Sequence, residues 1–225
     1  MTHIKDNLAS IKVQISQACK NANRLTHEVT LLAVSKTKPV ELIEQAYLAG
    51  QREFGESYVQ ESVEKIAKLV HLSDICWHFI GPMQSNKTRL IAENFSWVHS
   101  VDRIKIAKRL DEHRYGQDTP LNICLQVNIS GEASKSGATI EQLPELIHFV
   151  ENCKNLKLRG LMAIPEKNAA EHAFKTMHTL FINLCEKNAD VDTLSMGMSA
   201  DLAPAILAGS TIVRVGSAIF GKRET

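Results

Sequence analysis

The sequence has no excess of either charge, no paired cysteines and no long apolar run, and each of these lacks removes a class of protein. Lys plus Arg number 26 and Asp plus Glu number 25 among 225 residues, so no bulk field draws the chain to nucleic acid or to an anionic membrane. The five cysteines (Cys19, Cys76, Cys124, Cys153, Cys185) are scattered and never form a C-x-x-C pair. That argues against a disulfide framework or zinc cluster and fits a reducing, cytoplasmic setting. The nine histidines include no H-E-x-x-H or comparable ligand spacing, so no metal site is expected. Residues 1–20 lack the apolar stretch of a signal peptide, and no segment approaches membrane-spanning length. No low-complexity tract or Pro/Gly/Ser linker divides the chain, so residues 1–225 are read as one domain with a sizeable core.

What the sequence does contain is a rhythm. Apolar residues at 4, 8, 11 and 15 give a helical stripe, placing an N-terminal helix within residues 1–25. Buried strands are then expected at 30–35, 52–55, 77–80, 97–99, 123–127, 158–163, 193–195 and 212–215. Helical stretches lie between them, near 39–49, 57–69, 85–93, 102–113, 140–152, 169–188 and 201–208. Thr139-Ile140-Glu141-Gln142 is a T-x-x-Q capping box, and Gly50 supplies a helix stop. Strands alternating with helices imply parallel pairing. Eight such units fit a compact (β/α)8 TIM-type barrel with an extra N-terminal helix, the competitor being a doubly wound open sheet.

A barrel collects its functional groups at the C-terminal ends of its strands. The first strand end carries Lys36, directly after the apolar run Leu31-Leu32-Ala33-Val34-Ser35. An ammonium withdrawn from water tends to lose its proton, and a neutral lysine amine forms Schiff bases; a strand-end lysine also snorkels to solvent. Ser195-Met196-Gly197-Met198-Ser199-Ala200-Asp201 opens a short helix, with Ser199 as N-cap, and Arg214-Val215-Gly216-Ser217 ends the eighth strand. Loops after strands 7 and 8 are where barrels frequently hold a phosphate. Arg214, as a donor-only group, would keep any ring nitrogen it touches unprotonated. Glu56 could pair with a lysine, and His78 reads as a satisfied core histidine. Gln84-Ser85-Asn86-Lys87 reads as polar helix capping. Ser130–Gly137 reads as a solvated loop that could also act as a lid.

Seven segments, LLAVSKTKP (31–39), FGESYVQE (54–61), WHFIGPMQSNK (77–87), NISGEASKSG (128–137), LRGLMAIP (158–165), SMGMSADL (195–202) and VRVGSAIFG (213–221), together resemble the pyridoxal 5′-phosphate homeostasis proteins, the YggS/PROSC group. The resemblance implies the barrel of fold-type III pyridoxal-phosphate enzymes, the alanine racemase group, without their second β domain. It implies that Lys36 forms a Schiff base with pyridoxal 5′-phosphate, that Ser199, Gly216 and Ser217 hold the phosphate, and that Arg214 approaches the pyridine nitrogen. Two positions depart from the family pattern. Ser57 stands where G-E-N-Y is usual, which puts a ring contact in question, and Ala200 stands at a familiar acidic position. The implied role is a non-catalytic carrier or regulator in vitamin B6 and amino-acid homeostasis, a monomer that could pass cofactor to apo-enzymes. After the eighth strand only residues 217–225 remain, so no second domain is expected to close the pocket. The rival readings are a racemase or decarboxylase using the same lysine, with Tyr58 or His78 as second acid/base, and a cofactor-free Schiff-base aldolase.

Overall fold

A computed structural model describes residues 3–130, 136–166 and 170–222. Its strands are β1 (Thr30–Val34), β2 (Glu53–Glu56), β3 (Cys76–Phe79), β4 (Trp97–Val101), β5 (Leu121–Gln126), β6 (Leu156–Met162), β7 (Thr193–Met198) and β8 (Ile212–Val215). They pair in chain order as a closed barrel. The decisive pairing is β1 with β8, parallel from Thr30↔Ile212 to Ala33↔Val215. An open sheet has no such contact, so the doubly wound alternative falls. Leu31, Leu32 and Ala33 are consecutive and all buried, the mark of a strand covered on both faces.

The helices are α1 (Ile4–Asn21), α2 (Val40–Leu48), α3 (Val59–Lys68), α4 (Thr88–Asn94), α5 (Ile104–Arg114), α6 (Leu143–Glu151), α7 (Ala170–Cys185), α8 (Leu202–Leu207) and α9 (Ser217–Phe220). The stripe expected on α1 is the face it buries, Ile4, Leu8, Ile11 and Ile15, and α1 packs on α8, α9 and α2. Asn7 Nδ2 donates to Ile219 O at 2.8 Å, and Arg24 reaches the carbonyls of Ile206 and Ser210. Gly50 ends α2 with φ +89°, a conformation that only glycine adopts freely. The Thr139–Gln142 box forms as expected, with the Thr139 N–H donating to Gln142 Oε1 at 3.0 Å. It closes a single 3-10 turn that runs into α6.

β7 runs three residues further than its pattern suggests. Gly197 takes φ +91°, and a Cβ there would lie 2.5 Å from that of Ala205. The β7–β8 register shifts between Ser195 and Met198, so the strand continues through a bulge that a periodic reading stops at. As a result the following helix starts at Leu202 with Asp201 as its N-cap, and Ser199 lies in the turn before it.

The C-terminal strand ends are tied to one another. A Cβ on Gly81, after β3, would fall 2.1 Å from the Ser57 carbonyl oxygen after β2. The Gly81 carbonyl in turn accepts the Ser100 hydroxyl at 2.6 Å. Val127 bridges Ala138, and the Asn128 N–H donates to Ala138 O at 2.9 Å, joining the two sides of the loop read as a candidate lid. Its residues 131–135, Lys135 included, lie outside the described residues. Gly81→Ala should force the β2 and β3 ends apart and cost about 1–3 kcal/mol, the usual penalty of overpacking. Thermal denaturation would show this as a lowered midpoint, and an unchanged midpoint would contradict the close approach.

Candidate functional site

Lys36 sits in a turn two residues beyond β1 and is half-buried. The turn is strained: Thr37, a β-branched residue, takes φ +62°. Such a conformation costs on the order of 1–3 kcal/mol and persists only where surrounding contacts dictate it. Those contacts are present. The Thr37 N–H donates to Glu61 Oε1 at 2.6 Å, and the Lys38 N–H to Ser35 O at 3.0 Å. Ser35 Oγ donates to Glu56 Oε1 at 2.7 Å, and its N–H to Gly55 O at 3.0 Å.

Beneath the turn lies Lys65 of α3, whose ammonium is buried. It donates to Ser35 O at 2.8 Å, and pairs with Glu56 at 2.9 Å and Glu61 at 2.5 Å. Glu56 does pair with a lysine, as its position suggested, and that lysine is Lys65. Burial raises the Glu56 carboxyl above its ordinary value, while Lys65 and the Ser35 hydroxyl pull it back. Its second oxygen, Oε2, is buried with no hydrogen-bond partner. Sequence reasoning passed over Lys65. The i,i+4 spacing from Glu61 was a signal for a helix-surface pair, but nothing in the spacing reveals that this pair faces inward.

Arg214 lies deep in the barrel on β8. Its Nη1 donates to Ser195 Oγ at 2.7 Å and its Nη2 to Ala163 O at 2.9 Å. Burial lowers the guanidinium to about 10, so it stays charged through the neutral range. Ser195 also meets His99 Nδ1 at 2.9 Å, and His99 Nε2 meets His78 Nδ1 at 2.9 Å. His78 Nε2 lies 2.6 Å from Glu53 Oε2. His78 is thus the satisfied core histidine expected, engaged at both ring nitrogens. His99 and Ser195 were missed as polar members of the site. Among the described residues, Glu53, Cys76 and His78 place ligand-type atoms within 4.8 Å of one another. No linear motif announces them, because Glu53 comes from the neighbouring strand, in register with Cys76.

The remaining site residues lie at the mouth of the barrel. Gly216 caps α9, and a Cβ there would stand 3.1 Å from Val34 O, so β8 ends in close contact with β1 beside the Lys36 turn. Ser217 is exposed in the first turn of α9, and Ser199 is exposed after β7. The Met198 N–H donates to Asp201 Oδ1 at 2.5 Å, which places an acidic group among the small residues of that loop. Ser57 is half-buried beyond β2. Lys38 Nζ donates to Lys222 O at 2.7 Å, tying the segment after α9 to the same turn.

A family model described as the alanine racemase N-terminal domain matches residues 7–224. A pyridoxal phosphate homeostasis protein of Pseudomonas aeruginosa is 54% identical, covering 100% of this chain and 97% of its own. The chain belongs to the pyridoxal phosphate homeostasis protein family. A family member from Escherichia coli K12 is 48% identical over 100% of this chain and 98% of its own. PipY of Synechococcus elongatus, solved with pyridoxal phosphate bound, superposes with a TM-score of 0.84 at 34% identity, covering 97% of this chain and all of PipY. An alanine racemase of Corynebacterium glutamicum shares the fold alone, with a TM-score of 0.69 at 13% identity. The match covers 98% of this chain and 62% of the racemase.

Lys65→Met should destabilise the protein by about 3–5 kcal/mol, because it strands a buried carboxylate. With Lys65 gone, the folded-state affinity of Glu56 for a proton rises further above its unfolded value. The loss should therefore be greatest at neutral pH and shrink as pH falls to the ordinary carboxylate range. Urea unfolding at several pH values tests this; a pH-independent loss would show that Glu56 is not the stranded group.

Proposed function

We propose that the chain binds pyridoxal 5′-phosphate covalently through Lys36 and acts in vitamin B6 and amino-acid homeostasis as a carrier or regulator. The observation that carries this reading is the meeting of an amine, two hydroxyls and a close-packed glycine at one barrel mouth, in a chain 54% identical to a named homeostasis protein. The donor set fits the ligand. Ser199 and Ser217 are exposed serines after β7 and β8, and the first N–H groups of α9 have no carbonyl of their own helix to reach. Such donors suit phosphate oxygens. Gly216 lets β8 end close against Val34 of β1, and Ser57 is the half-buried residue that follows β2.

When bound, pyridoxal phosphate supplies an aldehyde that an amine can trap and a ring that accepts electrons best when its nitrogen is protonated. Lys36 provides the amine, aimed by the clamped turn. Arg214 provides the group facing the ring nitrogen and can only donate. It therefore favours an unprotonated ring nitrogen, which weakens the electron sink that a racemase or decarboxylase needs. A turnover enzyme also needs a second acid or base opposite Lys36. Both nitrogens of His78 are already engaged, and Tyr58 stands 49% exposed. These features favour holding and releasing the cofactor, with apo-enzymes as the recipients.

Borohydride reduction of the loaded protein followed by peptide mapping should place the modification on Lys36, and Lys36→Ala should lose the absorption band of the bound cofactor. Modification at Lys38 or Lys135 in the parent protein would overturn the assignment, and a protein that stays colourless would overturn cofactor binding itself. Ser199→Asp should weaken binding by roughly fivefold or more, since a carboxylate near the phosphate oxygens costs on the order of 1 kcal/mol even in a wet site. Equilibrium titration of pyridoxal phosphate reads that change; unaltered affinity would remove the β7 loop from the phosphate cradle.

A further inference from the structure

Five polar groups inside the barrel, Arg214, Ser195, His99, His78 and Glu53, form one continuous line, and the chemistry of its first member sets the direction of every hydrogen bond in it. A guanidinium can only donate. Ser195 Oγ must therefore accept from Arg214 at 2.7 Å, leaving its own hydrogen for His99 Nδ1 at 2.9 Å. His99 then carries its proton on Nε2 and donates to His78 Nδ1 at 2.9 Å. His78 in turn carries its proton on Nε2 and donates to Glu53 Oε2 at 2.6 Å. The line ends on a carboxylate, which can only accept while ionised.

The reverse direction fails at both ends. Ser195 would have to accept from Arg214 and His99 together and find a new acceptor for its hydroxyl. A bare His78 Nε2 would face an ionised oxygen at 2.6 Å. Other charge states also fit poorly. Burial keeps His78 and His99 neutral, His99 all the more so because His78 and Arg214 oppose its charge. Burial would raise the Glu53 carboxyl, but its contacts with His78 and Cys76 outweigh that and hold it low. The thiol of Cys76, 3.4 Å from His78 Nε2, is a weak partner that leaves the direction unchanged.

We infer that Glu53 is a positioning residue for the cofactor's ring-nitrogen donor, acting on Arg214 through the relay His78–His99–Ser195. Glu53 opens β2, at the end of the barrel opposite Lys36, and its side chain is 34% exposed. It borders a cavity of about 250 Å³ with Glu28, Trp97, Arg159 and Asp192. The two ends of the barrel are thereby coupled: an acceptor at the far mouth keeps Ser195 free to hold Arg214. This extends the cofactor reading above and rests on it for the role of Arg214, but the relay itself is testable without cofactor.

The test begins with ¹⁵N-histidine NMR on the full chain before cofactor addition, which distinguishes the two neutral tautomers and the charged ring. Both His78 and His99 should be neutral with the proton on Nε2. A proton on Nδ1 of either ring, or a charged ring, overturns the inference with no variant needed. Glu53→Gln keeps an acceptor oxygen and should preserve the tautomers and bind pyridoxal phosphate about as the parent does. Glu53→Lys offers only donors, so both rings should move to the Nδ1–H form and cofactor affinity should fall roughly tenfold, the scale of a weakened hydrogen bond to a charged group. Equal affinities in the Gln and Lys variants would overturn the coupling. Borohydride labelling of Lys36 should survive in both variants. If the parent itself takes up no cofactor, the binding reading fails, while the tautomers still decide the relay.

Discussion

The site depends on one buried ion pair. Lys65 and Glu56 meet at 2.9 Å under the turn that carries Lys36, and between them they hold both the carbonyl and the hydroxyl of Ser35. A buried pair of this kind is a poor source of stability, because desolvating two charges roughly cancels their attraction. Its value here is positional. The left-handed conformation of Thr37 costs on the order of 1–3 kcal/mol, and hydrogen bonds to charged groups are worth about 1.5–3 kcal/mol each. The Thr37–Glu61 and Ser35–Lys65 bonds are therefore together large enough to hold the turn in its strained form. The turn that carries Lys36 is fixed because its neighbours cannot relax.

A second polar system crosses the barrel interior, where most TIM-type barrels carry layers of branched apolar side chains. It shares the interior with Leu32, fully buried and in register with Arg214, while Phe54 and Phe79 lie on the opposite face of their strands, against the helices. Buried polar groups cost little only when each has a partner, and here each link supplies the partner of the next. The ion-pair clamp and the histidine line meet the proposed ligand from different sides. One fixes the turn that carries Lys36; the other holds the guanidinium of Arg214.

Much of this was legible in the sequence. The β1 run Leu31–Val34, the α1 stripe at Ile4, Leu8, Ile11 and Ile15, and the capping box at Thr139 each follow from local periodicity or capping chemistry, and they fold as read. What escaped was whatever depends on two strands at once. Glu53, Cys76 and His78 are neighbours only because β2 and β3 pair in one register, and His99 meets Ser195 across the barrel. Lys65 went unremarked because helical spacing fixes relative direction and not which side faces inward. The helix after β7 starts where it was read, but its N-cap is Asp201 and not Ser199, and β7 runs on past Gly197 to Met198, an extension that periodicity cannot register.

The closure of the barrel has a consequence for how the protein comes into being. Lys36 follows the first strand, while Arg214, Gly216 and Ser217 belong to the last, and the two strands touch only when β1 pairs with β8. Nearly the whole chain must leave the ribosome before Lys36, Arg214 and the Gly216–Ser217 turn can meet. Non-local pairing of this kind is slow relative to local structure. A nascent chain thus lacks the mouth proposed to hold the cofactor, and on that proposal uptake of ligand is an event of the finished protein, a late check that the ring has closed.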